Sequence, residues 1–265
     1  MKLNKNIITA LAIATCLSSL VSNSLAGWWP ANKKPVDSTT TTITALCDTD
    51  ISPEDTVLVT DIHGVVTRFS WLSALTAAWN MSLANKLHFT KKTIKYFTNN
   101  KNPKRAFEGV ALEDRPNDTN YIAQAVALMN PHVPKTATVE ILAELKARGY
   151  QVYGCSNIGE KSYAYMQEQY PAAFASIIAC RTSTLSNGYL KKNSKSAYEQ
   201  VMDIMKHNQS KTPTNLLFVD DKAANLTLAN QTDARFKGLL FKDAKQLRAQ
   251  LEQLGMLVTT QSTTK

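Results

Sequence analysis

Short runs of apolar and β-branched residues alternate along this chain with stretches of helical periodicity, and several of those runs end on a polar side chain. That alternation constrains the fold more than any other feature. The runs are TVLVTDI (56–62), YQVYGCS (150–156), ASIIAC (175–180), NLLFVDD (215–221) and KGLLF (237–241). Near-continuous apolar runs of this length fit strands buried on both faces rather than strands with one wet side. The segments between them carry helical stripes. In TATVEILAELKAR these are Ile141, Leu142 and Leu145, stopped by Gly149; in SAYEQVMDIM they are Tyr198, Val201, Met202 and Met205; the last helix offers Leu247, Leu251 and Leu254. Strands and helices in strict alternation predict an α/β fold, a doubly wound parallel sheet with helices on both faces.

The interval between the first two strands is far longer than a direct crossover needs. Residues 68–134 read as helical, with Trp71, Leu72, Leu75, Ala78 and Trp79 on one stripe and Ile122, Val126 and Met129 on another. The expected plan is a core of residues 55–67 and 135–254 interrupted by a helical cap over 68–134, with 255–265 as a flexible tail.

The first 26 residues have the form of a secretory signal peptide. Lys2 and Lys5 precede the uncharged run IITALAIATCLSSLV, and Ser24 and Ala26 place small residues before a cut. The apolar run is shorter than the ~20 residues of a membrane span. Export to the periplasm or beyond is therefore expected, with no stable span after cleavage. Residues 27–54 are Pro- and Thr-rich and read as a linker. Cleavage would remove two lysines and no acids, lowering the net charge from +9 to +7. The densest basic run, residues 90–105, is read as a solvated helix face, and nucleic acid is not expected as a partner. Cys47, Cys155 and Cys180 would survive cleavage; an odd number leaves at least one unpaired, and none has zinc-site spacing.

In open parallel sheets, ligands bind beyond the carboxyl ends of the strands. Those ends carry Asp61 and His63, then Ser156 and Asn157, then Asp220 and Asp221, with Lys191 and Lys192 in the loop before the helix of Tyr198. Three acids in one cleft repel one another unless a cation holds them. With no His or Cys cluster beside them the ligands are hard oxygens, which favours Mg2+. A divalent ion beside a lysine and a hydroxyl suits the neutralisation of phosphate oxygens.

These segments, in order, resemble the four motifs of the haloacid dehalogenase superfamily: VLVTDIHGVVT the first, VYGCSN the second, GYLKKNSKSAY the third and LLFVDDKAAN the fourth. The resemblance covers residues 55–254 and implies a capped phosphohydrolase acting on a small phosphorylated substrate. It assigns Asp61 as nucleophile and metal ligand. His63 would bind the metal through its main-chain carbonyl and serve as acid/base through its side chain. Ser156 and Asn157 would contact phosphate, and Lys192, chosen over Lys191 by counting back from Tyr198, would neutralise charge. Asp220 and Asp221 would complete the Mg2+ site, with Asn225 organising the turn behind them. The superfamily's phosphatases usually carry aspartate where this chain has His63, and proline where it has Asn193. Imidazole can move the same protons, so a working enzyme is expected. The alternative is a secreted binding or effector protein that keeps the scaffold. The paired acids of VDDKAAN argue against the dehalogenase branch. Oligomeric state is not legible.

Overall fold

The structure, a computed structural model, describes residues 51–98, 107–112, 115–184, 186–209 and 211–259. In chain order the elements begin with β1 (Thr56–Thr60), β2 (Thr67–Phe69), α1 (Trp71–Asn80), α2 (Leu83–Thr98), α3 (Phe107–Leu112), α4 (Thr119–Met129) and β3 (His132–Pro134). They continue with α5 (Thr136–Ala147), β4 (Gln151–Gly159), α6 (Glu160–Gln169), α7 (Pro171–Phe174) and β5 (Ile177–Ser183). The last are α8 (Lys195–Asn208), β6 (Asn215–Asp220), α9 (Ala223–Thr232), β7 (Phe236–Leu240) and α10 (Ala244–Gln253). The described residues form two compact units, one spanning Phe69–Val133 and the other residues 51–68 with 134–259.

The larger unit is the α/β sheet the alternation predicts. Its five strands run in the order β5-β4-β1-β6-β7, and every neighbouring pair is parallel. Strand β1 lies in the middle, with Val57 opposite Gln151 on one side and Leu216 on the other. Successive strand residues face opposite sides. Leu58, Val152, Leu217, Val219 and Leu239 therefore join one core with Ile141 and Leu145 of α5, Met166 of α6 and Leu247 and Leu251 of α10. Val57, Val59, Tyr153, Leu216 and Phe218 join the other with Tyr198, Val201 and Met205 of α8 and Leu226 and Ala229 of α9. All six positions of β6 are buried, which explains why its sequence shows no polar alternation. Gly149 ends α5 with φ +90°, a conformation only glycine adopts without strain.

Several details depart from the sequence reading. Met202 packs at the margin of its core instead of inside it. The tail does not begin at residue 255: Met256 and Leu257 are buried against Leu251 and Leu254, because a turn after α10 folds the chain back on the core. At the other end, Ile51 packs against the same core, so the linker stops earlier than residue 54. Cys155 and Cys180 are both free, and they join cores on opposite faces of the sheet, so they cannot bridge each other. The leader, most of the linker and Cys47 lie outside the described residues.

The smaller unit is helical. Asp118 caps α4 by accepting from the Tyr121 amide at 2.9 Å, and Asn85 of α2 donates to Gln124 of α4 at 2.9 Å. Its interior holds Tyr121, Ala125, Val126, Leu128, Phe89 and Met81. Here the expected stripes are corrected. On α4 the buried face is Tyr121, Ala125, Val126 and Leu128, with Ile122 and Met129 only half-buried. On α1 the inward residues are Ala74 and Ala78, while Trp71, Leu72, Leu75 and Trp79 are exposed. Two alanines a turn apart let α1 approach α4 closely, and that close approach leaves the large side chains of α1 facing out. Of residues 90–105, Lys91 is exposed as expected of a solvated face but Lys92 and Thr93 are buried. No helix among the described residues is long and apolar enough to cross a membrane.

Candidate active site

Strand β1 ends one residue before Asp61, and the ladder continues there through the Asp61 amide, which donates to the Val219 carbonyl at 2.9 Å. The chain then turns sharply. The Ile62 carbonyl accepts from the amides of Val66 and Thr67 at 3.0 and 2.9 Å and from the Thr67 hydroxyl at 3.2 Å, while the Gly64 amide donates to the Thr67 carbonyl at 2.9 Å. Gly64 sits at φ +93°, and a Cβ there would lie 2.4 Å from Asp221 Oδ2. Its backbone favours glycine, and a Cβ there would push the Asp221 carboxylate from its place. The turn after β1 thus rests against the acid that follows β6.

Four charged side chains meet at this end of the sheet. Lys192 Nζ lies 2.7 Å from Asp61 Oδ2 and 2.6 Å from Asp220 Oδ2, and all three side chains are almost completely buried. Carboxylate oxygens of Asp61, Asp220 and Asp221 lie within 4.8 Å of one another. Asp61 Oδ1 accepts from the Ile62 amide at 2.7 Å. Asp220 accepts from the Lys222 amide at 2.8 Å and from Asn225 Nδ2 at 2.9 and 3.0 Å. Asp221 is exposed. Of the two candidate lysines, Lys192 is the one that lies between the carboxylates, while Lys191 is half-buried. Tyr198 explains why counting back from it works: its hydroxyl lies 2.8 Å from the Lys192 carbonyl and 3.0 Å from that of Asn225, tying the lysine loop to the turn after β6.

The electrostatics follow from burial. Desolvation raises the pKa of Asp61, opposed by the Lys192 charge, and raises Asp220, with Asp61 adding to the rise. Asp221, open to solvent on one side, is raised by the partial desolvation of its carboxylate against the turn at Gly64 and by its neighbour Asp220. Burial alone would lower Lys192, but the two carboxylates outweigh it and hold the ammonium charged. His63 is half-buried beside this cluster; burial and the nearby charges of Lys192 and Lys222 push its imidazole down to about 4, so it is neutral at pH 7. One ammonium among three crowded acids leaves net negative charge, and the donors are all carboxylate oxygens. That donor set fits a hard divalent cation such as Mg2+.

Ser156 and Asn157 occupy the end of β4. Ser156 is buried, and its Oγ accepts from the Ile158 amide at 3.3 Å, leaving the hydroxyl proton to donate elsewhere. The Asn157 side chain accepts from the Lys192 amide at 2.8 Å, so it braces the lysine loop. The position expected to touch phosphate thus acts first on the residue that would do so.

Two basic residues escaped sequence reasoning. Arg181 on β5 is buried, and it donates to the carbonyls of Ser156 (3.1 Å) and Leu190 and to Gln200 Oε1 (3.4 Å). It knits the loops of Ser156 and Lys192 together, and its signal was an arginine closing an apolar strand. Lys135, before α5, donates from Nζ to the Gly64 carbonyl and lies 4.7 Å from the Phe241 ring centre. Nothing in its local sequence marked it.

No protein-family profile matches the chain, and no curated protein matches it. Solved structures do. A HAD family enzyme, BT-2542 from Bacteroides thetaiotaomicron, is 16% identical over 71% of this chain and 93% of its own, with a TM-score of 0.48. It has also been solved in complex with magnesium and inorganic phosphate. A protein described as a dehalogenase is 15% identical, covering 75% of this chain and 98% of its own, with a TM-score of 0.44. The putative HAD-hydrolase YfnB from Bacillus subtilis, bound to magnesium, is 10% identical over 69% and 86%, at 0.44.

Proposed function

We propose that this chain is a Mg2+-dependent phosphohydrolase of the haloacid dehalogenase type, cleaving a small phosphomonoester through an aspartyl-phosphate. The observation that carries the reading is the bridge of Lys192 between Asp61 and Asp220, with Asp221 completing a tight set of oxygens.

Asp61, Asp220 and Asp221 would hold the metal, which supplies charge neutralisation at the phosphate oxygens. A carboxylate oxygen of Asp61 would bond to phosphorus as the bond to the leaving oxygen breaks, and the leaving oxygen takes its proton from solvent. Lys192 keeps the nucleophile ionised and offers its ammonium to the phosphoryl oxygens. Ser156 donates its free hydroxyl proton to one of them. His63, neutral at pH 7, takes the proton from the water that then cleaves the acyl-phosphate, releasing phosphate and restoring Asp61. Histidine replaces the customary aspartate here without adding a fourth negative charge to a crowded site.

Phosphate release from 4-nitrophenyl phosphate with Mg2+ is the test, repeated with Asp61→Asn. Activity should disappear in the variant and in chelator; equal rates for the two proteins would overturn the reading. Phosphate binding without turnover would instead favour a non-catalytic binding protein. Export belongs to the same proposal and rests on residues 1–26. N-terminal sequencing of the secreted fraction should begin at Gly27, and an intact Met1 would contradict it.

A further inference from the structure

Helix α1 is amphipathic in the wrong direction for a helix packed in a protein. Its alanines, Ala74 and Ala78, face inward, while Leu72 is 76% exposed, Trp79 60% and Trp71 52%. Nine large apolar side chains are exposed among the described residues, and seven of them fall between Phe69 and Leu87. Leu83 and Leu87, one turn apart on α2, extend the set. Scattered exposed leucines are ordinary, but two tryptophans and two leucines on one face of a single helix mark a surface that meets something apolar.

The surrounding charge says what. From Ile62 to Phe107 the chain contains no aspartate or glutamate, yet it carries eight lysines and arginines. Exposed Lys91 lies on the same helix as Leu83 and Leu87. Tryptophan and leucine with an exposed lysine, on helices whose own stretch of sequence holds no acid, match the boundary of an anionic bilayer, where indole rings sit at headgroup depth and lysines meet phosphate. A partner protein surface would be served by charges of both signs, and a nucleic acid has no use for exposed leucines. The side chains are also pre-placed: the Trp71 ring packs edge-on against Phe69 at 4.8 Å, so little ordering is needed on contact.

We propose that the unit of residues 69–133 docks peripherally onto anionic lipid bilayers through Trp71, Leu72, Leu75 and Trp79 of α1 and Leu83 and Leu87 of α2, with exposed Lys91, on the Leu83 and Leu87 side of α2, contributing the charge selectivity. The site is independent of the phosphohydrolase reading.

Cosedimentation of the full-length chain with phosphatidylcholine vesicles, with and without about 30 mol% phosphatidylglycerol, tests it. Binding should favour the anionic vesicles by at least about tenfold and weaken with salt. The apolar stretch within residues 1–26 is common to every variant, so differences between variants report α1 and α2 alone. Leu72→Ser with Trp79→Ser should reduce affinity for anionic vesicles by roughly tenfold or more. Lys91→Gln, a surface change that leaves the fold intact, should reduce it about fivefold on those vesicles only. Unchanged binding in both variants would overturn the proposal. So would a parent protein that elutes as a dimer which Leu72→Ser with Trp79→Ser converts to monomer, or basic residues that retain DNA but not vesicles.

Discussion

Replacing Lys192 by methionine removes the ammonium that lies between two buried carboxylates while keeping most of the side-chain volume. Its Nζ lies 2.7 and 2.6 Å from Asp61 and Asp220, and none of the three side chains is more than 7% exposed, so solvent screening does not dilute the interaction. Removing one partner from a buried ion pair leaves an uncompensated charge and typically costs about 3–5 kcal/mol. For a protein of this size that is a drop in Tm of roughly 6–20 °C. Lys191→Met, at the half-buried neighbour, should stay within about 0.5 kcal/mol. The deficit must also depend on pH. Both carboxylates already have raised pKa values in the folded state, and without the ammonium they rise further. A carboxylate whose folded pKa exceeds its unfolded 3.8 binds its proton more tightly when folded, so stability falls as pH rises through the folded value. The loss in Lys192→Met should therefore be larger at pH 8 than at pH 5, and added Mg2+ should narrow it. Thermal melts of the three proteins at both pH values, with chelator and with Mg2+, measure this. A loss below about 1 kcal/mol, or one indifferent to pH, would refute the electrostatic account of the cluster.

Gly64→Ala should cost about 1–3 kcal/mol, since it forces φ +93° on a residue with a Cβ and drives that carbon into Asp221. Calorimetric titration should also show weaker Mg2+ binding than in the parent. His63 has the opposite linkage to the acids: its pKa falls from 6.5 to about 4, so its contribution is present above 6.5 and lost as pH drops toward 4. In chelator, acidification from pH 7 to 4 should cost the parent about 2–3 kcal/mol more than His63→Gln, read from denaturant unfolding at each pH. An identical pH profile in the two proteins would mean the imidazole is not held neutral.

The large-scale fold was legible because the three central strands, β1, β4 and β6, are buried on nearly every residue and so could not disguise themselves with polar alternation, whereas the edge strands β5 and β7 are only partly covered. Lys192 was legible through Tyr198, since the tyrosine hydroxyl physically holds the lysine loop. Arg181 was not. Its role depends on reaching the carbonyls of Ser156 and Leu190, groups that every residue possesses and that no pattern flags. Asn157 was assigned to phosphate, and its oxygen has the further task of holding the Lys192 amide, which a local sequence pattern does not show. Helix α1 misled for a different reason. A periodicity of apolar residues states which side chains share a face, but not whether that face or the alanine face meets α4. Met256 and Leu257 were missed because a two-residue anchor after a helix carries no periodicity at all.

The central position of β1 has a kinetic consequence. Val57 must find Gln151 on one side and Leu216 on the other, and neither partner exists until most of the chain has been synthesised. Contacts this distant in sequence make folding slow, because long loops must close before any pairing rewards them. Asp61 lies just past the end of that strand, so the charged cluster assembles only when the middle of the sheet closes. In a partly folded chain the cluster should be absent, its formation lagging behind the recovery of helical signal during refolding.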